Sequence, residues 1–192
     1  MARTKRGRAD IYQLKVTLLG SKPPIWRRLQ VPGDVTLYQL HHILQIAFDW
    51  TESHLHQFVV DDTFYGEPAP DLLDLGPPTE DEGKVRLQQV APGPKDRFVY
   101  EYDFGDSWEH GILVEKILPP VPEVHYPRCI TGKRAAPPDD CGGIWGYYEL
   151  LEALADPDHT DHEDLTDWLG DPDFDPEAFS PEVVNERLST IR

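Results

Sequence analysis

The sequence predicts an α+β fold: an antiparallel sheet covered by helices, with a helical C-terminal third. Three observations carry this. Ile11 to Leu19 alternates apolar and polar side chains, the period of a strand with one buried face. Thr36 to Trp50 places Leu37, Leu40, His41, Leu44, Ala47 and Phe48 on one stripe at helical spacing. Beyond Gly143 the apolar spacing turns helical again.

The elements follow in order. The first strand sends Tyr12, Leu14, Val16 and Leu18 to one face. Gly20 to Pro24 turns the chain into a second strand, Ile25 to Val31, which Pro32-Gly33-Asp34 ends. Thr36 with Gln39 forms a capping box for the helix that follows. His54 to Asp61 is extended, and residues 66–82, rich in Pro, Asp and Glu, read as an exposed loop. Arg97 to Asp103 and Trp108 to Leu118 form a hairpin around Phe104-Gly105-Asp106-Ser107, with Phe98, Tyr100, Tyr102 and Phe104 on one face. Pro119 to Gly143 is a long Pro-rich connection carrying Cys129 and Cys141. Helical stripes then run through Ile144, Tyr147, Leu151 and Leu154, through Leu165 and Leu169 behind a second capping box at Thr160 and Glu163, and through Val184 and Leu188 behind Ser180-Pro181. No internal repeat or domain boundary interrupts residues 11–192, which read as one domain behind a flexible basic tail, residues 1–10.

Charge bounds the function. The chain of 192 residues carries 18 basic and 35 acidic side chains, a net charge of −17, which argues against a broad basic face for nucleic acid. The distribution is uneven: +3 over residues 1–10, −6 over 11–138 and −14 over 139–192. Only the cations of residues 3–8 suit contact with nucleic acid, as an arm. Two cysteines are too few for a disulfide scaffold, no apolar run reaches the ~20 residues of a membrane span, and no apolar stretch follows the basic N-terminus as in a secretory signal. A cytoplasmic protein without a membrane partner is expected.

Several constellations could carry chemistry. Asp103, Asp106 and His110 lie within eight residues around a tight turn, and carboxylates with an imidazole suit a divalent metal or acid–base work. The same residues also suit a structural turn, with Asp106 accepting backbone N–H bonds. His54 and His56 alternate onto one strand face, a way to present two metal ligands or two packed histidines. His125, Cys129 and Cys141 match zinc spacing poorly. Gly142 and Gly143 ahead of a helix leave N–H groups open to an anion, which Asp139 and Asp140 would repel. Trp50, Tyr100, Tyr102, Trp108 and Trp145, with Trp26, supply aromatic area for either a core or a binding surface.

Four blocks resemble the plasmid pRi ORF-3-like family, often labelled transposon passenger TnpR proteins: YQLKVTLLGSKPPIWRR from Tyr12, LHHILQIAFDWTESHLHQF from Leu40, YEYDFGDSWEH from Tyr100 and RAAPPDDCGGIWGY from Arg134. The resemblance implies an α+β single domain of uncharacterised function linked to mobile elements. Where the family pattern often has a cysteine before the two prolines, this chain has Ala136. A serine resolvase is not implied: Ser21 sits in a turn, and the C-terminal helices are acidic rather than basic. The expectation is a non-catalytic binding or accessory module, with a protein partner, acting through an aromatic sheet surface. The alternative is a metal-dependent phosphoester hydrolase using Asp103, Asp106 and His110 with His54 or His56. That alternative requires Asp106, His110 and one of the two strand histidines to converge on one ion.

Overall fold

The structure, a computed structural model, describes residues 9–67, 78–171 and 173–191. The basic residues 3–8 and the middle of the acidic loop lie outside these ranges. Eight strands form one sheet: β1 (Ile11–Leu18), β2 (Trp26–Pro32), β3 (His56–Val60), β4 (Thr63–Gly66), β5 (Thr79–Asp81), β6 (Arg97–Tyr102), β7 (Trp108–Leu118) and β8 (Arg128–Lys133). Five helices accompany them: α1 (Leu37–Phe48), α2 (Leu87–Val90), α3 (Gly143–Ala155), α4 (His162–Leu169) and α5 (Pro181–Leu188). The strand order is β5-β4-β3-β6-β7-β1-β2-β8. Every pairing is antiparallel except that of β4 with β5.

Alternation decides which face is covered. Leu14, Val16 and Leu18 of β1, Phe58 of β3, Tyr100 and Tyr102 of β6 and Ile112 of β7 are buried on one face. The stripe of α1 packs there, as contacts from Arg27, Tyr100 and His110 to that helix show. Burying this apolar area is the main favourable term in folding. The opposite face carries a polar ladder. Glu115 takes two hydrogen bonds from Arg28, at 2.7 and 2.9 Å, and one from Gln13. Gln13 in turn accepts from Gln30, and Gln30 from Arg128. Trp26 lies on this face, with Lys15 and Arg28 over its ring.

Local signals set the ends of the elements. Thr36 and Gln39 make the expected reciprocal capping box. Ser180 accepts from the N–H of Val183, with Pro181 at N1. The box at Thr160 and Glu163 does not form. Helix α4 is capped at Asp161, which moves Glu163 one position too close to the start to reach back.

Four further expectations are corrected. The connection from Pro119 to Gly143 contains β8. That strand buries only Cys129 and pairs with β2 alone, so neither alternation nor an apolar run betrays it. Its outer edge is met by α5, where the Asn185 side chain accepts from the N–H of Cys129 at 2.7 Å and donates to its carbonyl at 2.9 Å. Phe104 is not on the β6 face; it sits in the hairpin turn and is 49% exposed. The C-terminal third is not helical throughout: three helices of 13, 8 and 8 residues alternate with irregular segments and follow a strand. Among the described residues, the expected loop at 66–82 ends in β5. No helix among the described residues is long and apolar enough to cross a membrane.

Candidate functional site

Three segments meet beyond one end of β3 and β6. The first is Thr51 to Leu55, between α1 and β3. The second is the β6–β7 turn. Asp103 enters it with a left-handed backbone (φ 57°), and its Oδ1 accepts from the N–H of Gly105 (2.9 Å) and of Asp106 (3.4 Å). The side chain thus closes its own turn, as short carboxylates do. The third is the stretch Pro137 to Gly142 before α3. It is tied to the others by Trp50 Nε1 donating to the Pro137 carbonyl, Thr51 Oγ1 donating to Asp139 Oδ2, and Gly142 N–H donating to Asp106 Oδ2. Gly143 then packs so close that a Cβ there would lie 2.5 Å from the Asp106 carbonyl oxygen, at a φ of 67°.

His54 is where these segments converge. Its Nε2 lies 3.1 Å from Asp140 Oδ1 and 3.7 Å from Asp103 Oδ2. This nitrogen is buried, yet neither approach has hydrogen-bond geometry, and the neighbouring Asp139 keeps a buried Oδ1 with no partner. The three donor atoms of His54, Asp103 and Asp140 lie within 4.8 Å of one another. Donors about 2.1 Å from a shared ion stand roughly 3–4 Å apart, so the spacing suits one imidazole and two carboxylates around a borderline divalent metal.

A second histidine group adjoins the first across a cleft of about 680 Å³, lined among others by His41, His42, His54, His56, Leu55 and Phe104. The imidazoles of His41 and His56 stack, and His56 Nε2 sits 3.0 Å from both oxygens of Glu82, a carboxylate 1% exposed. His42 Nδ1 meets Glu52 at 2.7 Å. The protons of His41 can be assigned from its neighbours. Gln45 Oε1 accepts from the N–H of Glu52, so its amide nitrogen donates to the Tyr100 hydroxyl at 2.9 Å. That hydroxyl then gives its proton to His41 Nδ1 at 2.7 Å, which leaves the imidazole proton on Nε2. Burial, then the adjacent His56 and His42, hold the His41 pKa at about 2, so the ring is neutral. Nδ1 of His41 is thereby committed to Tyr100 and Nδ1 of His42 to Glu52, although His41, His42 and Glu52 also bring donor atoms within 4.8 Å of one another.

The residues singled out from sequence separate accordingly. His54 and Asp103 come together. Asp106 is spent on Gly142. His56 serves Glu82. His110 is fully buried against Phe48 and Trp50, with Nδ1 facing the Tyr100 carbonyl and a pKa lowered by burial to about 3. Trp50, Tyr100, Tyr102 and Trp108 are 4% exposed or less and belong to the core: β6 and β7 turn the last three inward, and Trp50, just after α1, stacks on Tyr102; they offer no sheet surface. Trp145 alone of that set is exposed, at 77%. His125, Cys129 and Cys141 do not gather, and burial pushes the two free thiols up to about 11 and about 12. Sequence reasoning missed Asp140 as the neighbour of His54, and Glu82 as that of His56; the paired acids before Gly142-Gly143 were the available signal for the first.

An α+β domain with an imidazole–carboxylate cluster where three connecting segments meet is the class of protein that fold and site define. A family model for the plasmid pRiA4b ORF-3-like proteins matches residues 10–183, and the chain belongs to that family. It is 37% identical over 183 residues, 95% of this chain and 93% of the relative, to the uncharacterised protein y4hQ of Sinorhizobium fredii. It is 41% identical to a protein of unknown function, MM3350 of Methanosarcina mazei Go1. The likeness to that crystal structure has a TM-score of 0.83 and covers 93% of this chain and 98% of the other.

Proposed function

We propose that the protein is a non-catalytic binding module whose ligand is a divalent transition-metal ion, held by His54, Asp103 and Asp140 with Asp139 beside them. One observation carries this reading: a buried imidazole nitrogen faces two carboxylate oxygens at 3.1 and 3.7 Å without a hydrogen bond to either. Buried polar atoms ordinarily find partners, and an imidazole nitrogen without one beside two carboxylate oxygens is placed to share a cation with them.

The hydrolase alternative required Asp106 and His110 around the same ion. His110 lies in the core and Asp106 is engaged with α3, which leaves that reading without its acid–base pair. The binding reading is tested by titrating metal-free protein with Co²⁺ and Zn²⁺, followed by calorimetry and by the visible spectrum of bound cobalt. One equivalent should bind, and His54→Ala and Asp140→Ala should each abolish it. Undiminished binding in both variants, or no binding by the wild-type chain, would overturn the proposal.

A further inference from the structure

A second cavity, of about 700 Å³, lies between the end of α1, the stretch Ala135 to Pro138 and the segment leading into α5. Arg27 lines it from β2, although the residue is only 2% exposed. The guanidinium lies over the rings of Phe48 and Phe179, at 4.8 and 4.0 Å. Nε donates to the Ala47 carbonyl, and Nη1 to those of Trp26 and Lys133. Nη2, with its two N–H bonds, makes no hydrogen bond among the described residues. Nor does Arg27 form an ion pair there. Burial lowers its pKa only to about 10, so the charge persists at neutral pH.

A buried cation without a counter-ion is costly unless something supplies one. The nearby carboxylates do so only from a distance: Asp49 favours the charge, but none of them forms an ion pair with Arg27 among the described residues. Asp49 is exposed and paired with Arg187. Asp171 and Asp175 cap local turns, accepting from the N–H groups of Asp173 and Glu177.

We infer that this cavity is a binding site for a small monocarboxylate with an apolar body, its carboxylate meeting Nη2 of Arg27. The walls are apolar, with Phe48, Phe174, Phe179 and Val184 prominent. The volume falls within the range of roughly 300–1,000 Å³ usual for small-molecule sites. A single charge suits the site better than a phosphate dianion, because Asp49, Asp171, Asp173 and Asp175 surround the mouth.

The test uses the full chain with sodium octanoate, octanamide and octyl phosphate as probes, read by calorimetry and thermal melting. Octanoate should bind at one site and raise the melting temperature, with octanamide and octyl phosphate each weaker by about tenfold or more. Val183 lines the cavity yet is 57% exposed, so Val183→Trp should fill the opening and remove octanoate binding without lowering the ligand-free melting temperature. Equal binding of octanamide and octanoate would overturn the inference. So would undiminished octanoate binding in Val183→Trp, or no octanoate binding by the wild-type chain at millimolar concentration.

Discussion

The imidazoles of His41 and His56 lie face to face, with ring centroids 3.5 Å apart and planes 6° from parallel. The proton assignment and burial hold His41 neutral in this stack. His41 and His110 thus resist protonation down to about pH 2 and 3, against 6.5 in an unfolded chain. Between those limits the unfolded state binds more protons. The stability held above pH 6.5 is therefore lost as pH falls, at about 1.4 kcal/mol per pH unit for each histidine. His110→Leu removes one of the two. Its stability relative to wild type, from urea unfolding, should rise by about that slope between pH 6.5 and 5. A difference independent of pH would contradict the buried neutral assignment.

Asp103 has two separable duties. One oxygen closes the hairpin turn and the other faces His54. Asn keeps a carbonyl acceptor and tolerates the left-handed backbone, but loses the charge. Asp103→Asn should change stability by less than about 0.5 kcal/mol and weaken cobalt binding by about tenfold or more. Asp103→Ala should fail on both counts, losing about 1–2 kcal/mol as two backbone donors lose their acceptor.

The aromatic residues divide sharply by role. Trp108 is 1% exposed and Trp145 is 77% exposed. Trp108→Ala should cost about 3–5 kcal/mol, and Trp145→Ala within about 0.5 kcal/mol. Urea denaturation of the two variants side by side measures the contrast.

Gly143 ties the hairpin turn to α3. A methyl group there meets the Asp106 carbonyl oxygen and forces a left-handed backbone on a residue that resists it. Gly143→Ala should lose about 3 kcal/mol and, by shifting Asp140, lower metal affinity as well. A variant as stable as wild type would mean that the approach relaxes freely.

Most of the sheet could be read from the residues. The alternation from Tyr12 to Leu18, the Thr36–Gln39 cap and the β6–β7 hairpin all rest on local periods or local hydrogen bonds, which a sequence displays directly. Strand β8 was hidden because an edge strand with one buried residue has no pattern to show. Half of the site was hidden for a related reason. His54 and Asp103 stand in segments whose strands announce themselves, but Asp140 reaches His54 only because a left-handed turn at residue 140 folds a Pro-rich connection across 86 positions. Nothing in spacing encodes such a meeting. The chemistry of His110 misled for the opposite reason. Strand alternation places it inward, beside Trp108 and Ile112, so its position in the period was the better guide than its side chain.

The carboxamide of Asn185 has the shape of a peptide group, and at Cys129 it satisfies both the donor and the acceptor that a ninth strand would use. Strand β8 is the last strand on its side of the sheet. An open strand edge is a template for chain-to-chain pairing and fibrous aggregation. Here one side chain mimics the absent backbone, and α5 stands where an intruding chain would have to lie. The backbone donor and acceptor of Cys129 are thus already taken at the point where the sheet stops.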